Sequence, residues 1–334
     1  MTLHTPKTVS IVVPCFNEAE ALPHFLRRIM PVADQTPAYA WEFLFVNDGS
    51  KDESERLLVE ASAHDPRIKV LSLSRNFGHQ RAISAGLDWC EGAYIAVIDA
   101  DLQDPPEAIP EMLARLDEGF DVVHGVRTDR SADSWAKRTG AALFYRFMRR
   151  HVLPDLPENS GDFKAMNRKV LLAVSQYPER VRFLRGALAT VGFRQTTVPY
   201  ARAERSAGHS KYPFWKVVAF SRDAIFSNSI WPLRLALPTG LLVELILVGI
   251  VALRCGQAVF SDGPSPTLVE ALLALGVGAT GALLLFVGIM AEYLKILLFE
   301  VKHRPVYLVR QTWNLDPGAR KSVRDYNSEH IGFH

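Results

Sequence analysis

Cysteine is scarce in this sequence. Cys15, Cys90 and Cys255 are scattered, with no Cys-x-x-Cys pair and no Cys/His spacing of the kind that binds zinc. That excludes a disulfide framework and a structural metal knot, and it fits a reducing compartment. Residues 1–10 contain no apolar run, so no cleavable signal peptide is expected. Net charge is nearly absent as well, at +2, yet the charges are unevenly placed. Residues 1–126 hold 10 Lys+Arg and 20 Asp+Glu, a balance of −10, and the remainder holds 28 and 16, a balance of +12. An acidic front half argues against nucleic acid as a partner. A basic second half with long apolar runs suits an anionic membrane surface.

What is present begins with alternation. Short β-rich apolar runs occupy residues 9–13, 41–46, 68–73 and 93–98, and helical patterns fall at 19–31, 52–63, 79–90 and 106–118. Strands alternating with helices predict an α/β domain whose parallel sheet is covered on both faces. Such sheets bind ligands beyond the carboxyl ends of their strands. The polar clusters Asn17-Glu18, Asp48 and Asp99/Asp101 fall at those ends.

Residues 131–152 change character: Trp135, Leu143, Phe144, Phe147 and Met148 are interspersed with Lys137, Arg138, Arg146, Arg149 and Arg150. A surface helix packed on the core would look like this, and so would a basic amphipathic helix lying in a membrane interface; the runs that follow favour the interface. Residues 235–253 are apolar apart from Glu244, and residues 271–290 carry no charge. Each run is close to the roughly 20 residues that span a bilayer. Joined by a short loop containing Gly and Pro, they predict a transmembrane hairpin. Lys216, Arg222 and Arg234 precede the first run, and Lys295, Lys302, Arg304 and Arg310 follow the second. The positive-inside rule then places both termini in the cytoplasm, with the protein multi-pass in the inner (cytoplasmic) membrane. Gly276, Gly278, Gly281 and Ala282 form a small-residue face that suits packing within the hairpin or between subunits of a homo-oligomer, a dimer or a tetramer. Glu244 is either a functional site or a polar contact in such an assembly. The expected organisation is a cytoplasmic domain at 1–210, interface helices at 131–152 and 211–229, a hairpin within 230–292 (spans near 235–253 and 270–291), and a cytoplasmic tail at 293–334.

Chemistry concentrates in residues 99–106 (DADLQDPP), just after the fourth run. Asp99, Asp101 and Gln103 at alternating positions can offer oxygens to one hard cation, Mg²⁺ or Mn²⁺, and leave positions open for a diphosphate. An Asp-x-Asp alone is weak evidence, because loops collect Asp for turn reasons. Its surroundings are more specific. Residues 14–18 (PCFNE) follow the first run and 46–50 (VNDGS) the second. Residues 74–88 (SRNFGHQRAISAGLD), 161–163 (GDF), 202–212 (RAERSAGHSKY), 291–294 (AEYL) and 300–307 (EVKHRPVY) complete the set. Together they resemble the family 2 glycosyltransferases of GT-A (Rossmann-like) α/β fold, in the polyprenyl-phosphate branch that includes dolichol-phosphate mannose synthases and bactoprenol glucosyltransferases. The resemblance covers about residues 9–310.

That resemblance implies a metal-dependent enzyme that transfers a hexose from a nucleotide sugar to a polyprenyl phosphate such as undecaprenyl phosphate, for modification of cell-envelope glycans. It implies that Pro14, Asn17, Glu18, Asp48 and Arg75 line the nucleotide-sugar pocket with Asp99, and that Asp99, Asp101 and Gln103 form the metal site. Asn47 stands where the family often has Asp, which leaves the nucleobase open. Arg202, Arg205 and Lys211 map to a loop that closes over the donor, where cations offset diphosphate charge. Arg127, Arg130, Lys137 and Arg138 are candidates for the acceptor phosphate. Asp101, Asp162 and Lys211 are the catalytic candidates. Two roles are open to Asp162: a base, or a group that orients the donor sugar. A phosphate monoester is mostly dianionic at neutral pH and needs no base before it attacks.

The resemblance implies inversion by a single displacement. UDP-glucose is the expected donor, because residues 74–88 and 161–163 look most like the bactoprenol enzymes; mannosyl and aminosugar donors share the other motifs. A processive polysaccharide synthase would carry Gln-x-x-Arg-Trp and more spans, and neither is found. A non-catalytic scaffold of this fold would be expected to have lost the metal residues, which are all present.

Overall fold

Four runs of Val, Ile, Leu and Phe become the middle of one sheet. The computed structural model describes residues 6–128, 146, 160–177, 184–201, 226, 229–260 and 268–315. The interface helices expected at 131–152 and 211–229 lie outside the described residues, apart from isolated positions. The chain divides into two compact units, Met1–Lys211 together with Pro305–His334, and Tyr212–Arg304.

In the first unit, strands β1 (Lys7–Cys15), β2 (Tyr39–Asn47), β3 (Ile68–Leu73) and β4 (Tyr94–Val97) are parallel neighbours in the order β4-β1-β2-β3. Helices α1 (Leu22–Asp34), α2 (Ser54–His64) and α3 (His79–Trp89) connect them. These are the elements expected from the alternation, and the strands read as continuous apolar runs because both faces are covered. Ile11, Phe43 and Phe45 pack with Phe25 of α1 on one face, while Val12, Leu44 and Val46 pack with Ala82 and Ile83 of α3 on the other.

The sheet is mixed rather than purely parallel. After α4 (Ile109–Asp117) come β5 (Val122–Arg127) and β6 (Ser160–Asn167), then α5 (Arg168–Ser175), α6 (Leu184–Thr190) and β7 (Gln195–Tyr200). β6 runs antiparallel between β4 and β5, and β7 is parallel to β5. Periodicity did not reveal β6, which interleaves Asp162, Lys164 and Asn167 with apolar residues. The β4–β6 register pairs Tyr94 with Asn167 and Val97 with Lys164. Continued two residues further, it sets Asp99 opposite Asp162.

The far edge of the sheet holds a strand from the segment read as a tail. β8 (Val309–Trp313) pairs antiparallel with β3. Ser74 N–H donates to the Leu308 carbonyl at 2.8 Å and Tyr307 Oη to Asp88 at 3.2 Å. Asn314 donates to the carbonyls of Ser62 and Ile68, and Arg310 pairs with Glu55. Five residues with Arg310 and Gln311 exposed carry little apolar signal, so pairing rather than burial makes this strand.

The second unit is two long helices, α7 (Trp231–Phe260) and α8 (Leu268–Val301). Pro232–Arg254 and Leu272–Leu298 are long and apolar enough to cross a membrane, and only 6% and 0% of those windows is buried, unlike the core helix of a soluble domain. Gly278 faces Leu247 with no room for a Cβ between them. Tyr293 Oη donates to the Ser229 carbonyl at 2.6 Å.

Gly86 lets α3 lie directly on the sheet, since a Cβ there would stand 2.3 Å from Val12 Cγ1 and 3.1 Å from Val46 Cγ2. Gly86→Ala is expected to destabilise the protein by about 1–3 kcal/mol through overpacking, seen as a lower Tm in a thermal melt. An unchanged Tm would mean that α3 does not bear on β1 and β2 at this point.

Candidate active site at the carboxyl ends of the strands

The loops after β1 and β2 are laced to each other. Asn17, at φ 53°, accepts from Lys51 N–H at 2.8 Å through its side chain and donates its own N–H to Ser50 Oγ at 3.0 Å. Glu18 N–H donates to Ser54 Oγ at 2.8 Å. Asn47 is buried: its Oδ1 accepts from Ser50 N–H at 3.0 Å, and its amide donates to Ser72 Oγ at 3.1 Å. The amide is therefore committed to the turn. Pro14 is buried in β1 opposite Val46.

Asp48 ties in a third loop. Its two oxygens accept from Phe77 N–H at 2.7 Å and Gly78 N–H at 2.9 Å, and burial raises its pKa from the ordinary aspartate value against the pull of these donors. Gly49, at φ 65°, comes so close to this loop that a Cβ would lie 2.4 Å from the Arg75 carbonyl carbon. Arg75 is exposed and rests over the Phe77 ring at 4.2 Å. Residues 74–78 are thus pinned, and α3 starts immediately after them with His79 and Gln80.

Beyond β4 the chain turns through Asp99 to Asp104, with Leu102 at φ 60°, a costly conformation for a non-glycine residue. Gln103 N–H donates to Asp101 Oδ1 at 3.1 Å. Asp104 is buried and accepts from Tyr200 Oη at 2.5 Å, and Arg127 reaches Tyr200 at 3.2 Å and Asp104 at 3.8 Å. Arg127, a candidate for the acceptor phosphate, is thereby anchored beside the Asp-rich turn.

Asp162 is the most heavily engaged group. Arg185 grips it with two hydrogen bonds, Nε to Oδ1 at 2.8 Å and Nη2 to Oδ2 at 3.0 Å. Gln80 donates to Oδ2 at 3.1 Å, and His79 Nε2 lies 3.3 Å from the same oxygen. Burial would raise the Asp162 pKa, but the Arg185 charge and these donors hold it well below the carboxylate range. His79 Nε2 also lies 3.5 Å from Asp99 Oδ1, an ion-pair distance without a hydrogen bond. Although burial opposes the charged imidazole, Asp99 and Asp162 raise its pKa to about 9. The Asp99 side chain is about one-third exposed (35%) while its Oδ1 is shielded. Burial of that oxygen and the nearby Asp162, Asp104 and Asp101 push the Asp99 pKa up to about 6, against the pull of His79.

Behind Asp162 on the same face of β6, Lys164 is fully buried, and burial with the Arg185 charge pushes its pKa down to about 7. It approaches His124 Nδ1 at 3.4 Å, and His124 Nε2 meets Gln195 Oε1 at 2.7 Å. Burial and Lys164 hold His124 neutral, with its pKa lowered to about 3.

Of the candidates read from the sequence, the structure brings Asp99, Asp101, Gln103, Asp162 and Arg127 to one end of the sheet, with Pro14, Asn17, Glu18, Asp48 and Arg75 at the ends of β1, β2 and β3. Arg130, Lys137, Arg138, Arg202, Arg205 and Lys211 lie outside the described residues. Sequence reasoning missed His79, Gln80 and Arg185. The first two sit inside residues 74–88, where two polar side chains behind Phe77-Gly78 mark a helix start. Arg185 carries no motif.

Among the described residues no three His, Cys, Asp or Glu side chains converge as metal ligands. The donor set that remains is Asp99, Asp101 and the Gln103 carboxamide, all oxygen and therefore suited to Mg²⁺ or Mn²⁺. The buried Asp99 Oδ1, which makes no hydrogen bond, fits such an ion, which would relieve the crowding of carboxylates.

Comparison with known proteins adds sequence kinship to this geometry. The model of glycosyl transferase family 2 matches residues 10–174. A Bacillus subtilis protein described as an uncharacterized glycosyltransferase, YkcC, is 40% identical over 326 residues, 96% of this chain and 98% of its own. The bactoprenol glucosyl transferase of Shigella phage SfII is 38% identical over 312 residues, 92% of this chain and 99% of its own. A prophage bactoprenol glucosyl transferase homolog of Escherichia coli K12 is 37% identical over 306 residues, 91% of this chain and 98% of its own.

Removing Arg185 should leave Asp162 as a buried charge short of its main partner. Arg185→Met is expected to cost about 3–5 kcal/mol in thermal or denaturant unfolding. Adding Asp162→Asn to that variant should restore part of the loss, since it removes the charge left behind. A double variant no more stable than the single one would show that the pair is not the source of the effect.

Proposed function

The chain belongs to glycosyl transferase family 2, whose GT-A fold its mixed sheet follows, and on that footing we propose that it moves glucose from UDP-glucose to the phosphate of an undecaprenyl-type lipid at a membrane surface. The observation that carries this reading is the joining of two features in one chain. An oxygen-rich, cation-flanked site lies at the carboxyl ends of the strands, and two helices are apolar enough to cross a bilayer. Relatives named bactoprenol glucosyl transferases match over nearly their whole length and support both the sugar and the lipid.

In this reaction an oxygen of the lipid phosphate forms a bond to the anomeric carbon as the bond from that carbon to the nucleoside diphosphate breaks on the opposite face. An α-linked donor then gives a β-linked product. A divalent cation held by Asp99, Asp101 and Gln103, when bound, supplies positive charge to the departing diphosphate. Asp48, Asn17 and Glu18 shape the nucleotide end of the pocket. Arg202, Arg205 and Lys211 add charge over the donor, and Arg127, Arg130, Lys137 and Arg138 serve the acceptor phosphate. A phosphate dianion can attack without first losing a proton. Asp162, held ionised by Arg185, His79 and Gln80, is a poor proton acceptor and acts as an orienting group. Positioning and electrostatics therefore carry the rate. The lipid product is suited to later transfer in envelope glycan modification. The Lys and Arg bias of the flanks supports a cytoplasmic catalytic unit with both termini on that side; Gly278 of α8 serves packing within the hairpin, and Gly276 and Gly281 leave room for a homo-oligomer contact.

The test is a transfer assay with the purified protein, undecaprenyl phosphate, Mg²⁺ or Mn²⁺, and a panel of labelled nucleotide sugars. Label should enter the lipid fraction from UDP-glucose and stop with EDTA, and Asp101→Ala should lower the rate at least about 100-fold while leaving membrane insertion intact. Transfer from a different donor alone would correct the sugar. No transfer from any donor by the folded protein would refute the reaction.

A further inference from the structure

Two buried side-chain atoms near Asp162, Asp99 Oδ1 and Gln80 Oε1, make no hydrogen bond among the described residues. The Asp99 oxygen is accounted for by a cation. The Gln80 oxygen is left over once Asp99, Asp101 and Gln103 are given to that cation.

We propose that Gln80 accepts a hydrogen bond from one hydroxyl of the sugar carried by the donor, and so helps to select which hexose is transferred. This rests on the transfer reaction proposed above. Gln80 Nε2 donates to Asp162 Oδ2 at 3.1 Å. An ionised carboxylate only accepts, so the amide nitrogen must face Asp162 and the carbonyl oxygen must face elsewhere. The bidentate Arg185 grip on Asp162 keeps that partner in place, and Gly78 N–H on Asp48 fixes the start of α3 two residues earlier. Gln80 therefore holds its carbonyl oxygen turned away from Asp162, whose neighbour His79 also lies 3.5 Å from Asp99. A phosphate oxygen of the donor or of the acceptor brings no proton at neutral pH and cannot satisfy that carbonyl. The hydroxyls of a hexose can, and the sugar is the part of the donor that reacts next to the Asp99 and Asp101 end of the site. A buried acceptor left unmatched by a ligand lacking the hydroxyl is a means of rejecting that ligand.

The experiment pairs each protein with UDP-glucose and its 2-, 3-, 4- and 6-deoxy analogues, measuring kcat/KM for transfer to undecaprenyl phosphate, with UDP affinity by calorimetry alongside. For the wild type one analogue is expected to lose about 10- to 100-fold, the cost of stranding a buried acceptor. In Gln80→Met the penalty for that same analogue should fall below about threefold, with UDP affinity unchanged. Gln80→Asn, which keeps an amide but withdraws the carbonyl by one methylene, provides a second variant and should show the same collapse. Equal deoxy penalties in the wild type and both variants, or a loss shared evenly by all donors, would overturn the role of Gln80 and leave the reaction standing. Absence of transfer by the wild type from every UDP-hexose would overturn the reaction and this role with it.

Discussion

An antiparallel register that sets two carboxylates face to face is the constraint around which the site is arranged. The pairing of β6 with β4 ends at Val97 and Lys164; continued two residues further it brings Asp162 to Asp99, and His79 Nε2 lies within 3.5 Å of both. Like charges directly opposite each other in a ladder repel, and here the low-dielectric interior strengthens that repulsion. The fold answers with cations and donors from elements on the same face of the sheet. Arg185 from α6 takes both oxygens of Asp162, and His79 from α3 stands between the two carboxylates. The two acids come out unlike each other: Asp162 is held ionised, while Asp99 keeps a raised pKa and an oxygen without a hydrogen bond. One carboxylate has both oxygens hydrogen-bonded and the other keeps an oxygen without a hydrogen bond.

For that arrangement to work, α3 must begin at the right place, and the loop before it shows how this is secured. Asp48 at the end of β2 accepts two successive amides of residues 77 and 78, and Gly49 allows the backbones to touch. At the foot of the same helix Gly86 removes the last side chain that would hold it off the sheet. Asp48 is therefore the peg for the helix that carries His79 and Gln80.

Much of this was legible beforehand. The runs that became β1 to β4 were readable because parallel strands covered on both faces are apolar throughout, and the helices between them fell where expected. Asp99, Asp101, Asp48 and Asn17 stood out in the sequence because they follow apolar runs, and the structure places them just beyond strand ends. β6 was not, because its polar residues Asp162, Lys164 and Asn167 answer to the site and to β5 rather than to a repeating pattern. Arg185 was invisible for the same reason: its meaning lies in a partner 23 residues away across the sheet face. β8 was read as tail because its stability comes from backbone pairing and scattered side-chain contacts, which leave no periodic trace.

That last strand has a bearing on how the protein is made. Tyr307 and its partner Asp88 are separated by 219 residues of chain, and both apolar helices lie in between. At a synthesis rate of about 5–20 residues per second, the open edge of β3 waits roughly 10–45 s for its neighbour. During that interval the growing chain must deliver α7 and α8 to whatever receives them. Closure of the sheet is thus a late event in biogenesis. A polypeptide cut short within the helices would keep an unpaired strand edge, a ready template for aggregation and a mark by which an incomplete chain differs from a finished one.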